Sequence, residues 1–324
     1  MDVLNPVPVT RIAIPIGDPN GIGPEIALKT AIAMRDEPRV CITLFGPQAV
    51  LEATADQLGV TDALTDLRCV FTPAMPAGTH QPGVVCADAG VATIRAATEA
   101  IHATQRGDFD AVVAAPHHET AVHQAGIAFS GYPSLVAKVT GQPEDAVFMM
   151  LMGGDLRIVH VTLHEGVQSA LSHITQGRIE RAVHAGVRAV HRLGISNPRI
   201  GLFGINPHAG ENGLFGHEDE LISRPAAQQL RAQGLRVDGP LGGDTLLAAR
   251  AHDFYVAMFH DQGHIPIKLL YPQRASALSI GTDVMLSSVG HGSAMDIAGQ
   301  GVANPQAMMR TVALLAGFYS ESPV

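Results

Sequence analysis

Three histidines sit where a strand-like apolar run gives way to a loop: His164 at the close of Leu156–Leu163, His208 shortly past Arg199–Ile205, and His260 directly after Phe254–Phe259. In open α/β sheets ligands bind outside the carboxyl ends of strands, so three imidazoles delivered from separate strands could converge on one point. Three neutral nitrogen donors would hold a divalent metal and leave positions open for a substrate, as catalytic metal sites require. Each alone could equally be an ordinary hydrogen-bonded histidine, but the contexts weaken that reading jointly. His208 lies in the polar run Asn206-Pro207-His208-Ala209-Gly210-Glu211, with no core to fill, and His260 opens His260-Asp261-Gln262-Gly263-His264. His160 shares a strand face with His164 by period-two alternation and reads as a supporting or structural residue.

Two glycine-rich loops come next. Gly17-Asp18-Pro19-Asn20-Gly21-Ile22-Gly23-Pro24-Glu25 joins a strand to a helix and can bring backbone amides near a phosphate or carboxylate, although short strand–helix turns need glycine for conformational reasons too. It does not match the GxGxxG dinucleotide fingerprint. His291-Gly292-Ser293-Ala294-Met295-Asp296-Ile297-Ala298-Gly299 is a small-residue loop that would let a flat ligand approach the backbone, or a tight connection with no ligand at all. Asp244, in Gly243-Asp244-Thr245, could accept a proton, orient a ligand histidine or serve as a helix N-cap.

The elements that must position these residues alternate along the whole chain, as in α/β units feeding a mostly parallel sheet. Strands are predicted at Arg11–Ile16, Val40–Phe45, Ala111–Ala115, Ala146–Met152, Leu156–Leu163, Arg199–Ile205 and Phe254–Phe259. Helices are predicted after Gly23, over Ala89–Gln105, between Val167 and Leu193, and over Asn304–Tyr319. At 324 residues two lobes are expected, drawn at 1–130 plus 265–324 and at 131–264.

Composition narrows the function. With 46% hydrophobic and 16% charged residues the chain is too apolar for a disordered polypeptide. A net charge of −9 without a basic cluster argues against nucleic acid as a partner. No apolar run reaches the length of a membrane helix and no signal-peptide order opens the chain, so a cytoplasmic protein without membrane association is expected. Cys41, Cys69 and Cys86 have no CxxC spacing, which leaves a metal to histidine, and 16 histidines stand against only 21 Lys and Arg.

Together, Gly17–Glu25, the three histidine contexts, Ala125-Gly126-Ile127 and His291–Gly299 resemble the 4-hydroxythreonine-4-phosphate dehydrogenase family over nearly the whole chain. The resemblance implies a two-lobed α/β/α fold like that of isocitrate and isopropylmalate dehydrogenases, with the active site in the interlobe cleft at a homodimer interface. It implies a divalent metal held by His164, His208 and His260, two from one subunit and one from the other, zinc being the expected ion. It also implies NAD as cofactor, NADP remaining open, with His291, Gly292, Ser293, Ala294 and Asp296 around the adenosine.

The departures bear on the substrate. Where the family reads Gly-His-Thr-Glu to hold a phosphorylated substrate, this chain has Gly131-Tyr132-Pro133-Ser134. The family's substrate-binding Asn and Arg fall on Ala277 and Leu286, leaving Lys268 in place, so a phosphate would miss its bidentate cation. Pro116-His117-His118-Glu119-Thr120, Phe129–Ser134 and Ser287–His291 are instead similar to a branch of the family, the terephthalate cis-dihydrodiol dehydrogenases. That likeness implies oxidation of a dihydrodiol dicarboxylate by NAD with loss of CO2, giving 3,4-dihydroxybenzoate. Lys268 is then a carboxylate-binding cation or proton donor, Asp244 a further catalytic candidate, and His118, Tyr132, Ser134 and Asp18 candidates for the substrate pocket. Two alternatives stand beside it: a dehydrogenase of a phosphorylated hydroxy acid, and a non-catalytic metal-binding protein on the same scaffold.

Overall fold

The computed structural model describes residues 9–272 and 274–317. Among these, the residues up to Gln142 and from Asp283 onward form one compact unit, and Pro143–Thr282 form a second. The changeovers drawn from sequence near 130 and 265 come too early. The helix that follows residue 131 packs on a long helix of the first unit, and the helix that begins at His260 packs on strands of the second.

In the first unit the chain runs through β1 (Thr10–Pro15), α1 (Gly23–Ala33), β2 (Val40–Pro47), α2 (Gln48–Leu58), α3 (Thr61–Thr65), β3 (Arg68–Thr72), α4 (Ala87–Gln105), β4 (Ala111–Ala114), α5 (Glu119–Gln124) and α6 (Tyr132–Thr140). Ile12, Ala13 and Ile14 of β1 are fully buried, as expected of a strand paired on both edges and covered on both faces. The second unit contains β5 (Phe148–Gly153), β6 (Leu156–His160), α7 (Val167–His173), α8 (Gln176–Arg192), β7 (Arg199–Phe203), α9 (Arg224–Ala232), β8 (Arg236–Leu241), α10 (Gly243–Ala249), β9 (Phe254–Ala257), α11 (His260–Leu270) and β10 (Ser276–Ile280). The chain then returns to the first unit with β11 (Leu286–Ser288) and α12 (Gln306–Leu315). The predicted helix Asn304–Tyr319 extends to residues outside the described range.

Strands of the first unit follow the order β3-β2-β1-β4-β11, all parallel. Those of the second follow β10-β5-β6-β9-β7-β8, antiparallel across β10-β5-β6 and parallel from β6 onward. Each unit has its own core, one around Phe45, Ile101, Val112, Tyr132 and Leu286, the other around Ile158, Phe203, Tyr255, Ile267 and Tyr271. The helical run expected between Val167 and Leu193 is broken in two. Ile174 is buried in an extended conformation, and the Thr175 hydroxyl accepts the Arg178 amide at 3.2 Å as the N-cap of α8. Beyond it Ile179, Ala182, Val183, Gly186 and Val190 form the buried stripe of an amphipathic helix.

Candidate functional site

Two of the three singled-out histidines meet in the second unit. β6 ends at His160, four residues before His164, yet the chain still follows β9: the amides of Val161 and Thr162 donate to the carbonyls of Ala257 and Met258. β9 ends at Ala257, and Gln262 closes the turn into α11. Its Oε1 accepts the amides of Met258 (2.9 Å) and Phe259 (3.1 Å), while its Nε2 donates to the Gly204 carbonyl just beyond β7. His260 is thereby the first residue of α11, and its ring lies 5.3 Å from that of the exposed His164.

A chain of imidazoles backs His260. The Nδ1 of buried His160 faces the Met149 carbonyl at 3.3 Å, and a carbonyl only accepts, so this nitrogen carries the proton. His264 Nδ1 lies 3.1 Å from His160 Nε2 and 3.2 Å from the His260 carbonyl, and it must be a donor for the same reason. His160 Nε2 is therefore the acceptor. Burial and the neighbouring rings hold His160 down at about 3 and His264 at about 4, so both are neutral near pH 7. The His264 ring stacks on His260 with centroids 3.7 Å apart and planes 15° from parallel. The packing requires glycine at 263, where a Cβ would fall 2.2 Å from His160 Nε2.

His208 stands apart. It belongs to the turn Pro207–Glu211, where His208, Ala209 and Glu211 have positive φ, as does the capping Asn212, a conformation that costs on the order of 1 kcal/mol or more for each non-glycine residue. The fully buried Asp219 holds the turn's entrance, accepting the amides of Ile205 and Asn206 at 2.8 Å each and the Ser223 hydroxyl at 2.6 Å. Among the described residues no three His, Cys, Asp or Glu side chains form a metal-holding group, so one chain brings together His164 and His260 without His208.

Carboxylates adjoin two of these histidines. His260 Nδ1 lies 2.7 Å from Asp261 Oδ1, and His208 Nδ1 lies 3.2 Å from Glu211 Oε2. A carboxylate on Nδ1 keeps the proton there and leaves Nε2 as a lone pair, the tautomer a metal ligand needs. Lys268 is exposed on α11, one turn beyond His264. Asp244 is exposed in the first turn of α10 and hydrogen-bonds none of the three histidines. Gly242 occupies the N-cap, so the cap reading of Asp244 is replaced by that of a carboxylate favoured by the helix dipole.

The remaining candidates lie in the first unit. Gly17, at φ +71°, nests on the segment just past β4: a Cβ there would meet the Pro116 carbonyl oxygen at 2.2 Å, and the Asp18 amide donates to that oxygen at 2.9 Å. Burial pushes the Asp18 carboxyl up to about 6, against the opposing pull of the Asn20 amide on Oδ1 and of nearby His118. Asp18 Oδ2 and His118 Nδ1 are buried with no hydrogen-bond partner among the described residues. Tyr132 is a core residue whose hydroxyl donates to the Ala115 carbonyl at 2.8 Å, and the Ser134 hydroxyl donates to the Gly131 carbonyl at 2.9 Å. Ala277 lies in β10, and Leu286 is buried in β11.

The loop from His291 packs on the first glycine-rich turn, the Ser293 carbonyl accepting the Ile22 amide at 2.9 Å. His291, Gly292 and Asp296 are exposed, Ala294 takes φ +40°, and Ser293 is buried. A cavity of about 250 Å³ opens between the turn, α2 and Pro82, reaching Gly299. Cys41, Cys69 and Cys86 are free thiols. The imidazole chain and the two carboxylates had only weak signals in the sequence, His-Asp adjacency at 260, a His-x-x-Glu spacing at 208 and a His-x-x-x-His spacing at 260, and the Asp219 anchor had none.

Residues 27–315 match the model of the pyridoxal phosphate biosynthetic protein PdxA family. The chain belongs to that family. It is 55% identical over 307 residues to a Comamonas 1,2-dihydroxy-3,5-cyclohexadiene-1,4-dicarboxylate dehydrogenase, covering 94% of this chain and 96% of that one. Among solved structures it resembles a terephthalate 1,2-cis-dihydrodiol dehydrogenase from Burkholderia xenovorans LB400 (TM-score 0.80, 45% identity, 95% and 98% coverage). It also resembles a 4-hydroxythreonine-4-phosphate dehydrogenase from Burkholderia phymatum (TM-score 0.84, 34% identity, 97% and 99% coverage). The family resemblance drawn from the motifs is thus borne out, and this PdxA-family chain is a dehydrogenase with a mixed α/β fold. No helix among the described residues is long and apolar enough to cross a membrane.

Proposed function

We propose that this chain oxidises terephthalate cis-dihydrodiol with NAD and decarboxylates the product to 3,4-dihydroxybenzoate. The substrate carries a secondary carbinol next to a carbon bearing both a hydroxyl and a carboxylate. Hydride transfer from the carbinol to NAD⁺, with loss of its hydroxyl proton, gives a ketone β to that carboxylate. The C–C bond electrons flow toward the ketone as CO2 leaves, which makes the ring aromatic as a catecholate, and a proton taken up on oxygen gives the catechol. Atoms balance as one diol dicarboxylate and one NAD⁺ to one catechol carboxylate, one CO2 and one NADH, the proton lost from the hydroxyl being matched by the one taken up after decarboxylation.

The observation that carries the metal-dependent part is the pairing of His208 with Glu211 and of His260 with Asp261, which makes both imidazoles Nε2 donors. With the adjoining His164 these are a donor set that suits zinc. When bound, such an ion supplies Lewis-acid polarisation of a carbonyl oxygen. Since His208 stands apart from the other two, a second copy of the chain would supply it, and exposed Leu214, Phe215 and Leu221 beside it suit a covered homodimer surface. Lys268 would bind a substrate carboxylate or return a proton, and Asp18 Oδ2 and His118 Nδ1 are buried polar atoms free to meet a ligand. The loop His291–Gly299 would take the adenosine end of NAD.

Absence of a phosphate clamp at Ala277 and Leu286 favours the dicarboxylate over a phosphorylated hydroxy acid. Purified protein supplied with Zn²⁺ and NAD⁺ should form NADH with the diol and little with 4-hydroxythreonine 4-phosphate. Turnover of the phosphate compound alone would reverse the assignment.

A further inference from the structure

His160 and His264 have no task in the reaction proposed above, yet their rings meet behind His260. His160 is fully buried in β6, and α11 gives up a Cβ at Gly263 so that His160 Nε2 can reach His264 Nδ1, 104 residues away in the chain. The hydrogen bonds run in one direction. Met149 accepts from His160, and His160 accepts from His264, which also donates to the His260 carbonyl. Each Nδ1 is thus protonated by geometry alone. The His264 ring then stacks face to face on His260, whose own Nδ1 is held by Asp261.

We propose that His160 and His264 are positioning residues that hold the His260 ring in the plane needed to bind a divalent metal. Asp261 sets which nitrogen of His260 carries the lone pair, and the stacked His264 ring sets where it lies. His160 keeps the stacking ring from swinging out with its exposed helix face, because the bond ties α11 to a fully buried side chain of β6. Outer partners of this kind tune metal affinity 10- to 100-fold without touching the ion. The inference rests on the reading of His260 as a metal ligand.

The test measures Zn²⁺ affinity of the full-length protein by competition with a chromophoric chelator, together with the thermal midpoint. His264→Leu should weaken Zn²⁺ binding about 10- to 100-fold while the protein stays folded. His160→Leu, which leaves the His264 ring held only by the His260 carbonyl, should weaken it in the same direction by less. His264→Phe restores a flat ring for stacking and should recover part of the loss. Affinity within twofold of the unaltered protein in His264→Leu, whatever the melting point does, would overturn the proposal and leave a structural role. If His160→Leu does not fold, His264→Leu at its half-buried position still decides. His260→Ala is the separate control: Zn²⁺ affinity unaltered in that variant would remove the metal reading itself, and the inference with it.

Discussion

The buried carboxylate of Asp219 accepts the amide of Asn206 at 2.8 Å, and its other oxygen takes the amide of Ile205. This one side chain therefore anchors the entrance to the left-handed turn that presents His208. Asp219→Ala would strand two amides beside a fully buried position. With charge-assisted bonds at about 1.5–3 kcal/mol each and partial relaxation, a loss of about 2–4 kcal/mol is expected in urea unfolding. Activity should fall more than NAD⁺ affinity, because the turn carries a proposed ligand and the proposed cofactor loop, His291–Gly299, belongs to the other unit. A midpoint shift with unchanged activity would disconnect the turn from the chemistry.

Asp18 makes stability depend on pH. Its folded pKa of about 6 lies above the ordinary value of 3.8, so the folded state binds its proton more tightly than the unfolded chain does. Stability linked to this group is present below about pH 4 and is lost as pH rises through about 6, roughly 3 kcal/mol in all. Asp18→Asn keeps an oxygen for the Asn20 amide and removes the titration. Unfolding at about pH 4.5, inside that window, and at about pH 7.5, above it, should show the variant gaining on the unaltered protein at the higher pH. Equal pH dependence in the two would contradict the assignment.

Subunit mixing tests the shared site. Because His164 and His260 adjoin within one chain, the complementing pair is His208→Ala with His260→Ala. Random pairing would regenerate one complete site in half the dimers, about one quarter of full activity. Mixing His164→Ala with His260→Ala should restore nothing, since both lesions fall on the same side of the site. Recovery in that second mixture would reverse the division of ligands.

Lys268 separates binding from proton transfer. Lys268→Met should raise the KM for the diol by about 10- to 100-fold, the equivalent of a charge-assisted contact of about 1.5–3 kcal/mol, if the ammonium holds a carboxylate. A loss confined to kcat would make it the proton donor instead. Steady-state kinetics with neither parameter changed would remove it from the site.

Periodicity located the buried strands well, since Ile12–Ile14 and Ile158–Val159 are apolar for the simple reason that sheet and helices cover them. Strand ends were less legible. Apolar character runs on to Leu163 and Phe259, but Gln262 takes the amides of Met258 and Phe259 and ends β9 early, a side-chain contact that no periodicity records. The left-handed turn at His208 is similarly silent: only Gly210 and Asn212 favour that conformation, and the anchor that enforces it is Asp219 further along the chain. His160 was visible as a strand-face neighbour of His164, whereas its contact with His264 exists only once β6 and α11 are packed together.

The most direct measurement is the stoichiometry of CO2 and NADH when terephthalate cis-dihydrodiol and NAD⁺ are given to the Zn²⁺-supplied protein. Oxidation and decarboxylation linked through one β-keto acid predict equal amounts of both, with 3,4-dihydroxybenzoate as the aromatic product. NADH without CO2, accompanied by a carboxylated ketone or diol, would contradict the proposed chemistry.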